Sequence, residues 1–227
     1  MTFDLYILHL MVNIVPSLLE KTVTGISDKL KRLNGITDYV QIDIVKDWPN
    51  GENTLSLEQL KSCSGLAKLK TEIHLMTQEP IRFLPGCQKI KAVMVYGQIE
   101  QMADRPDFIR RCRTGQLKVG LAVDLPTFIN RLKLAELMAI DGVLLMSIEA
   151  GAQGKKFNRR VLGKLQRLVR LKRNYGLNFT IAIDGGINDK TGKWCRASGA
   201  NQLCVGSYLF KAADLQVAWE KLHQLRS

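Results

Sequence analysis

Histidine is scarce in this chain: His9, His74 and His223 are the only three among 227 residues. A metal centre built mainly on imidazole is therefore not expected. The five cysteines, Cys63, Cys87, Cys112, Cys195 and Cys204, are an odd number and contain no C-x-x-C pair. They read as buried thiols of a reducing cytoplasm rather than a disulfide framework. No uninterrupted apolar run approaches the roughly 18 residues that suggest a membrane span. The opening MTFDLYILHLM carries Asp4 and no basic stretch, so a secretory leader is not expected either. Linkers, low-complexity tracts and composition shifts are also missing. What is present is 33 Lys plus Arg against 21 Asp plus Glu, a net charge of +12, and 46% hydrophobic residues. That balance predicts one globular domain over residues 1–227. A chain of this length buries roughly 70–75% of its unfolded surface and needs no covalent staple.

Short runs rich in Val, Ile and Leu predict eight strands, at 11–16, 39–44, 70–75, 91–96, 117–123, 142–147, 179–184 and 202–206. Helical periodicity fills most intervals, at 18–33, 99–112, 128–138, 161–171 and 212–225. Pro80 opens a third helix, Asn188 and Asp189 offer N-caps, and Gly176 closes the long sixth helix. Residues 45–69 are the least regular, with Trp48-Pro49-Asn50-Gly51 as a long loop before a short helix. Eight β-then-α units with short buried parallel strands predict an α/β fold, a (β/α)8 barrel, over a doubly wound sheet. In such barrels chemistry sits at the C-terminal ends of the strands.

Those ends read Pro16-Ser17, Gln41-Ile42-Asp43, His74-Leu75-Met76, Tyr96, Asp124, Met146-Ser147, Asp184-Gly185-Gly186 and Gly206-Ser207. Asp124 reads as a loop anchor. Asp43 and Asp184 close otherwise apolar strands, and a buried ionised carboxylate needs a partner. Glycines cluster after strands six, seven and eight, at Gly151 and Gly154, Gly185 and Gly186, and Gly206. Loops after strands seven and eight are the usual phosphate cradle of this barrel. A nucleotide P-loop is excluded, because Glu149 and Lys156 stand where its Gly and Ser or Thr are needed.

In order and spacing, VPSLL (15–19), QID (41–43), EIHLM (72–76), LLMSIEAGAQGKKF (144–157), IDGGI (183–187) and VGSYLF (205–210) closely resemble the ribulose-phosphate 3-epimerases. The resemblance implies interconversion of D-ribulose 5-phosphate and D-xylulose 5-phosphate in the cytoplasm, as part of the pentose phosphate pathway. It implies that Asp43 and Asp184 are the acid/base pair and metal ligands, with His74 a further ligand. Ser17 would contact substrate, Met76 and Met146 would pack around the enediolate, and Gly151, Gly154, Gly185, Gly186, Gly206 and Ser207 would hold phosphate. The expected partner is a phosphorylated ketopentose, and the expected assembly a homo-oligomer.

The chain departs from the family's pattern in three places. Gln41 stands where the family has His, and Val45-Lys46-Asp47 replaces Met-Asp-Gly, bringing a cation beside the site. Ala150 and Gln153 replace Pro and Gly. Gln41 would offer an amide oxygen at most, so the expected cofactor is a weakly held divalent ion, zinc, manganese, iron or magnesium. Two alternatives stay open: a metal-altered isomerase or decarboxylase relative using Lys46, and a barrel that binds phosphosugars or polyanions without turnover. The second draws on residues 155–173, which hold nine cations and no acid. The apolar stripe Val161, Leu165, Leu168 and Val169, and the lack of aromatic interleaving, make that run a solvated helix face rather than a nucleic-acid site.

Overall fold

The computed structural model describes residues 11–49, 51–151 and 154–226. His9, Asn50 and Gln153 lie outside the described residues. Strands β1 (Asn13–Leu18), β2 (Tyr39–Lys46), β3 (Lys70–Thr77), β4 (Met94–Gln98), β5 (Lys118–Val123), β6 (Gly142–Met146), β7 (Thr180–Asp184) and β8 (Gln202–Val205) pair in chain order. All pairs are parallel, and β8 returns to β1, closing the (β/α)8 barrel.

Strand side chains alternate between two environments. Val40, Ile42 and Ile44 of β2, Ile73 and Leu75 of β3, and Leu203 and Val205 of β8 face outward into the apolar layer under the helices. The inward phase holds Met76, Met94, Tyr96, Ala122, Leu144, Met146, Ala182 and Cys204. The same phase carries a polar set, Gln41, Asp43, Glu72, His74, Gln98, Asp184 and Gln202, all buried. Register brings these together: Asp43 pairs with His74, Gln41 with Glu72, and Asp184 with Cys204.

The outer layer contains α1 (Val23–Arg32), α2 (Leu57–Leu60), α3 (Leu84–Lys89), α4 (Arg105–Thr114), α5 (Leu134–Ala139), α6 (Arg160–Asn174), α7 (Asp189–Ala197), α8 (Ser207–Phe210) and α9 (Leu215–His223). Local chemistry sets their ends. Thr22, Ser56, Asp104, Asn188 and Asp214 accept first-turn backbone N–H bonds. Gly176, at φ +61°, turns the chain out of α6. Asp189 is the first residue of α7, with Asn188 as its cap.

Several helices begin later than periodicity predicts. Leu18 belongs to β1, and Ile99 and Met102 are buried ahead of α4, whose cap is Asp104. Apolar loop residues that seal the barrel rim mimic an extra helical turn. Pro80 opens a 3-10 turn, Pro80–Phe83, that leads into α3, and Phe128 precedes another, Ile129–Arg131, before α5. β4 runs to Gln98, so Tyr96 lies inside the barrel and Gln98 takes the position near the mouth.

Tyr96 fills the interior only because its neighbours are small. A Cβ on Gly120 would lie 2.3 Å from the Tyr96 ring. Gly120→Ala is therefore expected to lower stability by about 1–3 kcal/mol through overpacking. An unchanged urea midpoint would contradict this packing.

Candidate active site

One cleft at the C-terminal mouth of the barrel is lined by Ser17, Asp43, Met76, Met146, Gly151, Gly154, Asp184, Gly185, Gly186, Gly206 and Ser207. Strand order brings these residues together from β1, β2, β3 and the ends of β6, β7 and β8. His74 and Gln41 lie directly beneath, both 0% exposed. Leu19, Ile148, Ile187 and Cys204 complete the lining.

Gln41 is the hub. Its amide Nε2 donates to Asp184 Oδ2 at 2.6 Å and to Asp43 Oδ1 at 2.9 Å, with Ser17 Oγ at 3.3 Å. Ser17 Oγ donates to Asp43 Oδ2 at 2.8 Å. Burial, reinforced by the charge of Asp43, pushes the Asp184 carboxyl up to about 7, against the pull of His74, the Gln41 amide and the Gly185 N–H. Ser147 holds the turn beneath, its N–H donating to Asp184 O at 2.7 Å and its hydroxyl to the Asp184 and Gly185 carbonyls.

His74 faces acceptors on both sides: Nδ1 lies 3.1 Å from Asp43 Oδ1 and Nε2 lies 2.9 Å from Gln98 Oε1. A neutral imidazole has one N–H and cannot serve both. Burial, the largest single influence, depresses its basicity, but the hydrogen bond and charge of Asp43, the Gln98 hydrogen bond and the charge of Asp184 together outweigh burial and raise it. Asp43, His74 and Asp184 each present a ligand atom, all within 4.8 Å of one another. The Nδ1 lone pair facing a carboxylate fits a divalent cation as well as a proton. Gln41 does not fit as the fourth ligand in this arrangement, because its nitrogen, a donor with no lone pair to give, points at the carboxylates.

The glycines of the cleft have the backbone that close approach demands. Gly185 and Gly186 adopt φ of +104° and +60°, and a Cβ on Gly186 would lie 2.6 Å from the Phe157 backbone nitrogen. Asn188 already accepts from Lys190 and Thr191 N–H at 2.9 Å.

Residues 13–210 match the model of the ribulose-phosphate 3 epimerase family. The chain belongs to that family. It is similar to the ribulose-phosphate 3-epimerase of Bacillus subtilis, 25% identical over 210 residues that cover 92% of this chain and 96% of the relative. The enzyme of the same name from Mycobacterium tuberculosis is 27% identical over 201 residues, covering 88% and 87%. Solved structures share the fold. The 3-hexulose-6-phosphate synthase of Salmonella typhimurium has a TM-score of 0.68 at 16% identity, covering 94% of this chain and 98% of that one. KGPDC from Streptococcus mutans has a TM-score of 0.67 at 11% identity, covering 94% and 97%.

Of the departures from the family's pattern, Lys46 is corrected by the structure. It takes the outward phase of β2, is exposed, and pairs with Asp47 at 3.3 Å, so it brings no charge into the cleft. That removes the basis for the Lys46-dependent decarboxylase reading. Asp124 is a loop anchor, accepting from Leu125 N at 2.7 Å and Ala150 N at 2.8 Å. Sequence reasoning missed Gln98, Cys204, Glu72 and Gln202. The available signal was period two: each is a polar or thiol group on the same phase as His74, Asp43 or Asp184.

Four of the nine cations in residues 155–173 already have partners. Lys164 Nζ donates to the Asp124 and Leu125 carbonyls and Lys172 Nζ to the Phe179 carbonyl. Lys155 pairs with Glu149, and the Arg159 guanidinium lies 3.8 Å from the Trp194 ring centre. Such a surface is expected to leave duplex and single-stranded DNA unshifted at micromolar protein and physiological salt. Submicromolar binding that weakens steeply with salt and vanishes when Arg167 and Arg170 become Gln would reverse that reading.

Proposed function

We propose that this chain epimerises a phosphorylated ketopentose, interconverting D-ribulose 5-phosphate and D-xylulose 5-phosphate through an enediolate. The carrying observation is the pair Asp43 and Asp184, which converge on one amide nitrogen at 2.9 and 2.6 Å while both border the cleft. Inverting a carbon beside a ketone requires one group to remove a proton from one face and another to return a proton to the opposite face. At the start of each turnover one must be ionised and the other protonated. Asp184, pushed up to about 7 by burial and by the charge of Asp43, can hold and release a proton near neutral pH, as that condition requires.

The remaining residues position the sugar and exclude water. Met76 and Met146, 1% and 4% exposed, present soft apolar walls beside the carboxylates. Ser17 orients Asp43 and offers a hydroxyl to the substrate. Also lining the cleft, Gly151, Gly154, Gly185, Gly186 and Gly206 present backbone without side-chain obstruction and Ser207 adds a hydroxyl, which suits a phosphate dianion. Asp43, His74 and Asp184 would hold a divalent cation. When bound, the ion offsets negative charge developing on the substrate oxygens. One imidazole and two carboxylates form a harder donor set than one with two imidazoles, favouring manganese or magnesium over zinc.

Solvent-deuterium incorporation beside the ketone of ribulose 5-phosphate is the direct assay. The wild type is expected to exchange, and Asp43→Asn and Asp184→Asn each to lower the rate by about 10²–10⁴-fold. Full exchange in either variant would refute the assigned roles. No exchange by the wild type would favour a binding-only barrel. Protein purified without added metal is expected to hold far less than one equivalent of zinc, and stoichiometric tightly bound zinc in elemental analysis would contradict the weak site.

A further inference from the structure

Beneath the cleft a chain of buried polar groups runs down the barrel axis and ends on Gln41. At its base Glu72 accepts twice, from Tyr39 OH at 3.0 Å and from Gln202 Nε2 at 2.7 Å. Gln202 Nε2 also lies 3.6 Å from Cys204 Sγ, and Cys204 Sγ lies 3.1 Å from Gln41 Oε1. The directions follow from the lowest member. Glu72 Oε1 accepts from the Gln202 nitrogen, which turns that nitrogen inward, where it also faces the sulfur as an acceptor. Of the two acceptors the thiol faces, Gln41 Oε1 at 3.1 Å is nearer than Glu72 Oε1 at 3.9 Å, so the thiol donates to the Gln41 oxygen, and the Gln41 nitrogen faces Asp43 and Asp184. Reversing the Gln41 amide would set its oxygen against two carboxylate oxygens and release the thiol.

We infer that Gln41 is a neutral clamp on Asp43 and Asp184, held in that orientation by Cys204, and that it competes with a divalent cation instead of coordinating one. The amide nitrogen bonds one oxygen of each carboxylate, and these two carboxylates are two of the three side chains that could hold a cation. A cation drawn in between the carboxylates weakens or displaces those N–H bonds, and turning the amide oxygen inward also breaks the Cys204 contact. The clamp keeps the carboxylates together without adding a charge. Cys204 is thus a positioning residue, acting through Gln41. The catalytic meaning of the clamp rests on the reading of Asp43 and Asp184 as the reacting pair. Its effect on metal binding does not.

The test is Mn2+ binding, by calorimetry and spin resonance, to metal-stripped wild type, Gln41→Met, Cys204→Val and Cys204→Ser. Methionine keeps length but cannot donate, valine removes the thiol donor, and serine restores a donor. Gln41→Met is expected to bind Mn2+ on the order of tenfold more tightly, since two competing hydrogen bonds are removed. Cys204→Val is expected to shift the same way by a smaller factor, and Cys204→Ser to return to the wild-type value. If Gln41→Met does not fold, as judged by circular dichroism, Cys204→Val decides alone. Unchanged or weaker binding in the deciding variant, or no measurable Mn2+ binding by any variant, overturns the clamp. Weakening by tenfold or more would identify the Gln41 oxygen as a ligand. Deuterium exchange on the same samples separates the two claims: a wild type that fails to exchange removes the epimerase reading, while the Mn2+ ranking still decides the clamp.

Discussion

Two carboxylates held close together where water is scarce repel each other, and the polar interior of this barrel is organised around that repulsion. Asp43 and Asp184 are 6% and 8% exposed. The Gln41 amide between them supplies N–H donors without charge, Ser17 donates to the second oxygen of Asp43, and His74 lies against the first. Each contact is stronger here than it would be in water, and each would be costly to leave unmade. The raised affinity of Asp184 for a proton follows from the same constraint, because burial and the charge of Asp43 disfavour its ionisation.

The constraint extends downward through the fold. A barrel interior filled only by branched aliphatic side chains would leave the Gln41 oxygen without a donor. In this chain the axis carries Cys204, Gln202, Glu72 and Tyr39, each satisfied by the next. The Glu72 carboxyl, pushed up to about 8 chiefly by burial, depends on the Tyr39 and Gln202 donors that pull the other way. Outside the strands the opposite rule holds: Ile, Val and Leu form a continuous layer under the helices. The fold therefore separates stability, placed in the outer layer, from chemistry, placed on the inward phase and at the strand ends.

Much of this was legible in the residue order. Apolar runs at βα spacing pointed to the eight-stranded barrel, and every strand lies within a few residues of its predicted position. The PSLL, IHLM, MSIEAG, DGG and GS segments located the cleft, because the barrel puts strand ends at one mouth. Strand ends were harder to place, since apolar rim residues such as Ile99 and Met102 extend a helical period without belonging to a helix. Lys46 and Tyr96 were misplaced for the same kind of reason. A strand that runs two residues further keeps its phase, which turns Lys46 outward and lets the Gln98 side chain reach His74 Nε2, although Tyr96 is His74's partner in the register.

The sequence by itself determined the barrel, the identity of the two carboxylates and the glycine-lined cleft. These depend on local propensity, period and spacing, all of which are properties of residue order. Only the tertiary structure decided what Gln41 does. Its sequence position suggests a metal ligand, and an amide can present either oxygen or nitrogen. The choice is made by partners distant in the chain, Asp184 on β7 and Cys204 on β8, whose oxygens and thiol hydrogen meet the amide only when the barrel closes. Hydrogen-bond direction depends on which groups face each other across space, and no spacing along one strand records it.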